Sequence, residues 1–379
     1  MWLCEDEMQE ENFDSKMQAF EHIRTYLGEC TNLVAQSDGR LLIEIFFEAI
    51  TSEPLFSHVH PNTKQELGSA GYSAHLKKYA ICFVLLAAGC ISLHGQDKNQ
   101  TQDKSHFDTP NLPKVDRKIT YKEVGGKAFQ LHVFEPDTSV NAASQRGCIV
   151  FFFGGGWNNG DPKQFYSQSR ALADLGMVAM SAEYRVTSRD QSKVIDSIAD
   201  AQDAVTYVRS HAAELKIDPQ RIAVGGGSAG GHLAAAVATL NYRGTQPARS
   251  KADYRPNALV LFNPALVLAP VDSLELPARK QIDGLEARIG DKPESASPYH
   301  HLSKDLAPTI IFHGRADTTV PFATVELFST KAKELGVDCR LMGYEGEGHG
   351  FFNRDRPKYV ETRDAMVQFL RDLRFVESK

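Results

Sequence analysis

From residue 117 onward, short apolar runs alternate with stretches of helical spacing. Segments 118–124 and 128–134 are β-prone runs separated by Gly125-Gly126, a hairpin signal. Segment 148–153 is apolar throughout, as a strand buried on both faces should be. A helix over 165–175 and a strand over 177–182 follow. The long helix predicted over 194–215 carries Ile195, Ile198, Ala201, Val205 and Val208 at helical spacing. A strand over 222–226 leads into an Ala-rich helix over 233–240. Strands at 258–262, 309–312 and 340–344 are interleaved with helices at 324–335 and 359–373. This alternation predicts an α/β architecture: a doubly wound, mostly parallel eight-stranded sheet, antiparallel at its start, with helices on both faces. The 266–307 stretch breaks the pattern. It holds Pro270, Pro277, Pro293 and Pro298 and no amphipathic run, which predicts little or no lid and an open site.

The chain before this domain reads differently. Residues 1–75 begin with an acidic cluster (Glu5, Asp6, Glu7, Glu10, Glu11, Asp14), carry no motif, and form an N-terminal extension of unknown role. In segment 76–96, Lys77 and Lys78 precede the apolar run 80–91, the layout of a bacterial export signal. That run is short for a bilayer span. Its end, Leu86-Ala87-Ala88-Gly89-Cys90, resembles a lipoprotein signal box, in which Cys90 is lipidated and holds the protein to a membrane. The expectation is export from a bacterial cytoplasm, to the periplasm, to a lipoprotein anchor or to the medium. A signal beginning at 76 implies a start at Leu76, with 1–75 a misassigned upstream extension; the competing reading is a buried core helix. Residues 97–116, with Lys98, Asn99, Gln100, Gln102, Asp103, Pro110 and Pro113, read as a polar linker, leaving 117–379 as the α/β domain.

Composition narrows the classes. With 379 residues and a formal net charge of −6, nothing suggests a nucleic-acid partner. Cys4, Cys30, Cys82, Cys90, Cys148 and Cys339 lack zinc-site spacing and are too sparse for a disulfide framework. No metal and no organic cofactor is implied.

The candidate chemistry centres on Gly226-x-Ser228-x-Gly230, between a strand and a helix. Such a bend lifts the Ser228 hydroxyl above the sheet end, and the helix N-terminus behind it favours negative charge. The alternative is a glycine-rich turn with a serine cap. Serine needs a base and a carboxylate to orient that base, and in such sheets both follow later strands in the order serine, acid, histidine. Asp317 follows the 309–312 strand, and His349 lies between Gly348 and Gly350 after the 340–344 strand. Asp283, Asp291 and Asp305 are rivals that lack a preceding strand. His313 and His232 read as structural, and Glu347 as pointing away from His349. Acyl transfer also develops an oxyanion that needs N–H donors. Phe153-Gly154-Gly155-Gly156-Trp157, after a strand, can turn its amides inward, and the Ala229 N–H is another donor.

These motifs resemble the α/β-hydrolase fold over about 117–375, and more closely the carboxylesterases related to hormone-sensitive lipase and to bacterial acetyl and feruloyl esterases. Those carry His-Gly-Gly-Gly or His-Gly-Gly-x-Trp, then Gly-x-Ser-Ala-Gly-Gly, then a late Asp and His. The resemblance implies Ser228, Asp317 and His349 as a triad and the Gly155, Gly156 and Ala229 amides as the oxyanion hole. It makes Glu183-Tyr184-Arg185 a structural brace. Phe153 stands where the family has histidine, a departure that bears on loop geometry. The expected activity is a secreted serine esterase acting on short or aromatic acyl esters of carbohydrates, small or polymeric, with Trp157 a stacking surface for the sugar. Two other readings remain: a serine peptidase of the prolyl oligopeptidase type, and a non-catalytic α/β-hydrolase binding module. A dienelactone hydrolase would carry cysteine at 228.

Overall fold

The computed structural model describes residues 111–137, 145–245, 251–274 and 286–376. The extension 1–75 and segment 76–96, read above as an export signal, lie outside the described residues, as does most of the linker. The linker's end, 111–116, is part of the domain: Leu112 and Val115 pack on its core, and the Asp116 carboxylate accepts from the Glu135 amide and from Arg170.

One sheet holds all eight predicted strands: β1 (Arg117–Val124), β2 (Lys127–Phe134), β3 (Arg146–Phe152), β4 (Val178–Ala182), β5 (Ile217–Gly227), β6 (Ala258–Phe262), β7 (Thr309–Gly314) and β8 (Cys339–Tyr344). Their order is β1-β2-β4-β3-β5-β6-β7-β8. The β1–β2 and β2–β4 pairs are antiparallel and every other pair is parallel. The longer helices are α1 (Tyr166–Ala173), α2 (Val194–Ser210), α3 (Ala229–Thr239), α4 (Phe322–Glu334) and α5 (Tyr359–Asp372).

The pleat separates two cores. In β3, Cys148, Val150 and Phe152 face the layer built with α2, α3 and α4, whereas Ile149 and Phe151 face α1 and α5. Leu259 and Leu261 alternate with Val260 and Phe262 in the same way along β6. Two buried faces explain the continuous apolar runs, and each fully buried large side chain stabilises by roughly 1.5–3 kcal/mol.

Helix boundaries depart from the pattern at two informative places. The helix predicted over 194–215 ends at Ser210, and β5 begins early because Ile217 pairs with Arg146. The Ala-rich helix starts at Ala229, so Gly230 and Gly231 lie inside it despite their poor propensity. Contact decides this: a Cβ on Gly230 would sit 2.0 Å from the Phe152 carbonyl oxygen, and one on Gly226 would sit 2.4 Å from Gly230. The described residues of the 266–307 stretch contribute one-turn helices, Glu286–Ile289 and Pro293–Ala296, and a 3-10 turn, Pro298–His301; residues 275–285 lie outside the described residues.

Candidate active site

The parallel strands β3, β5, β6, β7 and β8 end on one side of the sheet, and their following loops carry every predicted site residue. Ser228 stands between β5 and α3 with φ +53° and ψ −118°, a conformation that costs a non-glycine residue about 1–3 kcal/mol. Its side chain makes no capping bond to α3, so the serine-cap alternative fails and the hydroxyl is left available. The backbone holds it in place: the Ser228 N–H donates to the Phe262 carbonyl at 2.8 Å, and its carbonyl accepts from the His232 N–H at 2.9 Å.

Asp317 and His349 are brought together. His349 Nδ1 donates to Asp317 Oδ2 at 2.7 Å, which leaves Nε2 as the basic nitrogen. The Asp317 side chain is fully buried and that of His349 is 16 % exposed. Burial alone would raise the Asp317 pKa. Hydrogen bonds from His313 and His349, the His349 charge and the Val320 amide outweigh it and hold the carboxyl well below the usual range. The Thr319 and Val320 amides both reach Oδ1 at 2.9 Å. His313, buried at the end of β7, donates from Nε2 to the Val320 carbonyl at 2.8 Å, the structural role expected of it. Asp291 pairs with Arg243, Asp305 is exposed, and Asp283 lies outside the described residues. Glu347 contributes its backbone, accepting from the Ala316 N–H at 3.0 Å and lacing the loop after β7 to the loop after β8.

The glycine loop after β3 lies against the serine: a Cβ on Gly154 would come within 3.3 Å of Ser228 Cβ. Gly155 and Gly156 have φ of +121° and +60°, and a Cβ on Gly155 would strike the Asn159 carbonyl oxygen at 2.3 Å. Only glycine fits this path. Ala229 opens α3, where the first amides have no intrahelical partner. The Tyr184 hydroxyl donates to the Phe153 carbonyl at 2.7 Å while its ring stacks on Phe153 at 4.1 Å. The brace expected of Tyr184 is thus direct, and stacking holds the residue that replaces histidine.

Trp157 overturns its assignment as a substrate surface. It is 5 % exposed, and its indole Nε1 donates to His232 Nδ1 at 3.1 Å. His232 Nε2 donates onward to the Ala296 carbonyl at 2.8 Å, and burial pushes this imidazole down to about 4, so it stays neutral. The tryptophan ties the glycine loop to α3 and offers no face to a sugar. Arg288 closes over the same loop, donating to the Gly156 carbonyl, with its guanidinium 5.6 Å from the Trp157 ring.

Two further side chains carried no sequence signal. Gln164 Oε1 accepts the Gly154 N–H at 2.7 Å, and its Nε2 donates to Asn353 Oδ1 at 3.1 Å, strapping the glycine loop to the segment after His349. Asn263, in the Asn-Pro turn after β6, donates to Asp317 Oδ2 at 2.9 Å. An isolated glutamine and an Asn-Pro pair look like ordinary turn residues until the strands are paired.

This sheet order, with a strained serine at the β5–α3 turn and an acid and a histidine on the β7 and β8 loops, defines an α/β-hydrolase. The BD-FAE family pattern matches residues 132–332, and the chain belongs to that family. It is 30% identical to the probable carboxylic ester hydrolase LipM of Mycobacterium tuberculosis over 271 residues, 68% of this chain and 61% of LipM. It is 28% identical to esterase LipQ of the same organism, over 48% of this chain and 45% of LipQ. The chain therefore spans about half to three fifths of the length of these curated relatives. Among solved structures, Thermogutta terrifontis esterase 2 is 42% identical with a TM-score of 0.65, covering 71% of this chain and 98% of that one.

Proposed function

We propose that the chain hydrolyses carboxylic esters with Ser228 as nucleophile, His349 as general base and Asp317 as its orienting carboxylate. The observation that carries this reading is the 2.7 Å His349–Asp317 bond, held by the same 262–265 turn that fixes the Ser228 backbone. His349 Nε2 takes the Ser228 proton as Oγ attacks the acyl carbonyl. The oxygen of the tetrahedral intermediate is met by the Gly155, Gly156 and Ala229 amides, which the loop and the α3 terminus preorganise. His349 then returns the proton to the departing alcohol. Water, deprotonated by the same nitrogen, attacks the acyl-enzyme and releases the acid and free Ser228.

The acyl group in this reading is short. Thermogutta terrifontis esterase 2 binds propionate and butyrate in its solved structures. The described part of 266–307 supplies single helical turns rather than an apolar lid, so added methylenes gain less than the roughly 0.8 kcal/mol of full burial. With Trp157 buried, the carbohydrate alcohol and the feruloyl option rest on the export reading of 76–96 and the resemblance alone.

The test is an ester panel from acetate to decanoate, plus feruloyl esters and acetylated xylan, with the full chain and Ser228→Ala. Wild-type efficiency should peak between acetate and butyrate, and the variant should lose on the order of 10⁶ in turnover. A steady climb toward decanoate would overturn the short-chain reading, and turnover by the variant would overturn the triad. Export and lipidation at Cys90 belong to the same proposal. In a bacterial host, protein expressed from position 76 with Met replacing Leu76 should fractionate with membranes and its Cys90→Ser variant should not; a cytosolic location of the 76–379 protein would exclude both.

A further inference from the structure

Asn263 meets parts of all three triad loops. It is fully buried, and its φ of +42° lies in the left-handed region, which asparagine tolerates better than most residues. Its own N–H donates to the Phe312 carbonyl at 2.8 Å, anchoring the turn to the end of β7. On one flank the Phe262 carbonyl accepts the Ser228 N–H, and on the other the Ala265 N–H reaches the Ser228 carbonyl at 3.5 Å. Its side chain spans the acid and base loops: Nδ2 donates to Asp317 Oδ2 at 2.9 Å, and Oδ1 accepts the Gly350 N–H at 3.2 Å.

The choice of atoms matters. Asp317 Oδ2 is the oxygen that His349 Nδ1 uses, so Asn263 and His349 share one acceptor. A second donor there fixes the lone-pair direction left for His349 and draws off part of the negative charge it feels. The bond to the Gly350 amide holds the backbone one residue beyond the imidazole. One amide side chain thereby sets both the acceptor and the position of the ring that meets it.

We propose that Asn263 is a positioning residue that sets the His349–Asp317 pair against Ser228 and tempers the basicity of His349. The proposal rests on the triad reading above. The titratable groups facing the cluster among the described residues are Asp317 and His313 from β7 and its loop, and His349 from the loop after β8.

Two variants test it in the full chain, read by kcat, KM and the pH dependence of kcat/KM on a short-chain ester. Asn263→Gly accepts the backbone angle and removes both side-chain bonds. It should lower kcat ~10- to 100-fold, the scale of a misplaced catalytic group, with KM within about twofold. Asn263→Asp keeps the shape but sets a carboxylate against Asp317 Oδ2, so the pair holds more negative charge beside His349. The imidazole then keeps its proton to higher pH, and the acid limb of the profile should move up by about one pH unit, the scale of a nearby charge. That shift would follow from the added charge alone, so the discriminating variant is Asn263→Gly, which adds no charge: loss of the donor to Asp317 Oδ2 should move its acid limb up too, and a merely structural asparagine would not move it. An unmoved acid limb in Asn263→Gly, with its kcat within twofold of wild type, overturns the proposal. Loss of the fold in both variants also overturns it, because the residue is then structural. Ser228→Ala in the same assay separates the two readings: turnover there defeats the triad, whereas an inert Ser228→Ala beside unaffected Asn263 variants defeats only this proposal.

Discussion

Two buried carboxylate clusters among the described residues have partners that differ in kind. Asp200 and Asp203 of α2 are enclosed with permanent cations: Lys122 Nζ bonds them at 2.7 and 2.6 Å, and Arg185 bonds Asp200 from Nε and Nη2 at 2.8 Å each. The Tyr242 hydroxyl and the Thr245 amide complete Asp203, each at 2.6 Å. Asp317 has no arginine or lysine against it among the described bonds. Its partners are an asparagine, two amides and two imidazoles, one of which reaches solvent. A fixed cation locks a carboxylate into one charge state. An imidazole can gain and lose its proton while the carboxylate stays ionised. The first cluster fastens α2 to β1, and the second is suited to proton transfer.

The comparison breaks most visibly at Asp317. Asp317→Asn should reduce turnover on the order of 10⁴-fold, because the amide favours the wrong His349 tautomer, while the protein stays folded at neutral pH. Steady-state kinetics beside a circular-dichroism melt checks both halves. The same variant reads the carboxylate's stability. A folded pKa below the unfolded one stabilises above about pH 4 and is lost as pH falls from there toward the folded value. The stability gap between wild type and Asp317→Asn should therefore narrow below about pH 4 in denaturant titrations, and a gap constant from pH 7 to 3 would contradict it.

Lys122→Met should show the opposite signature. It strips a cation from two buried carboxylates and should cost about 3–5 kcal/mol of unfolding free energy, with kcat near wild type wherever the variant stays folded. Adding Asp203→Leu should recover part of that loss, since an apolar replacement of both partners is often close to neutral. Comparable kcat losses in Lys122→Met and Asp317→Asn at equal folded fraction would dissolve the distinction.

The smallest expected effect is Tyr242→Phe. It removes one hydrogen bond to a charged acceptor and should lower stability by about 1.5–3 kcal/mol without moving the pH profile. A displaced acid limb in this variant would mean that the two clusters communicate.

Much of the site was legible in the chain because its chemistry follows covalent order. Ser228 lies between a β-prone run and an Ala-rich run, and Asp317 and His349 follow the strands on which such a sheet must place them. Gly226 and Gly230 were legible too, since few other uses explain that spacing around a serine. Asn263 and Gln164 were not, because their partners lie 54 and 189 residues away in Asp317 and Asn353. Trp157 misled because an aromatic beside a glycine loop reads equally as surface or brace, and only the position of His232 chooses between them.

By itself the sequence determined which segments are strands and helices, that the sheet is buried on both faces, and in what order Ser228, Asp317 and His349 reach the loops at one end of the sheet. Those properties are local or periodic, so neighbouring residues suffice to specify them. Lys122 marks where that reasoning stops. Alternation along β1 puts it on the outer face with Lys118 and Thr120. A register shift between Thr120 and Lys122 turns it inward, leaving Tyr121 and Lys122 both buried. What makes the shift stable is a pair of aspartates on a helix some 80 residues later, 78 and 81 positions on, whose charge needs a buried cation. The strand was a matter of local pattern; the fate of its lysine was decided by which helix packs across it.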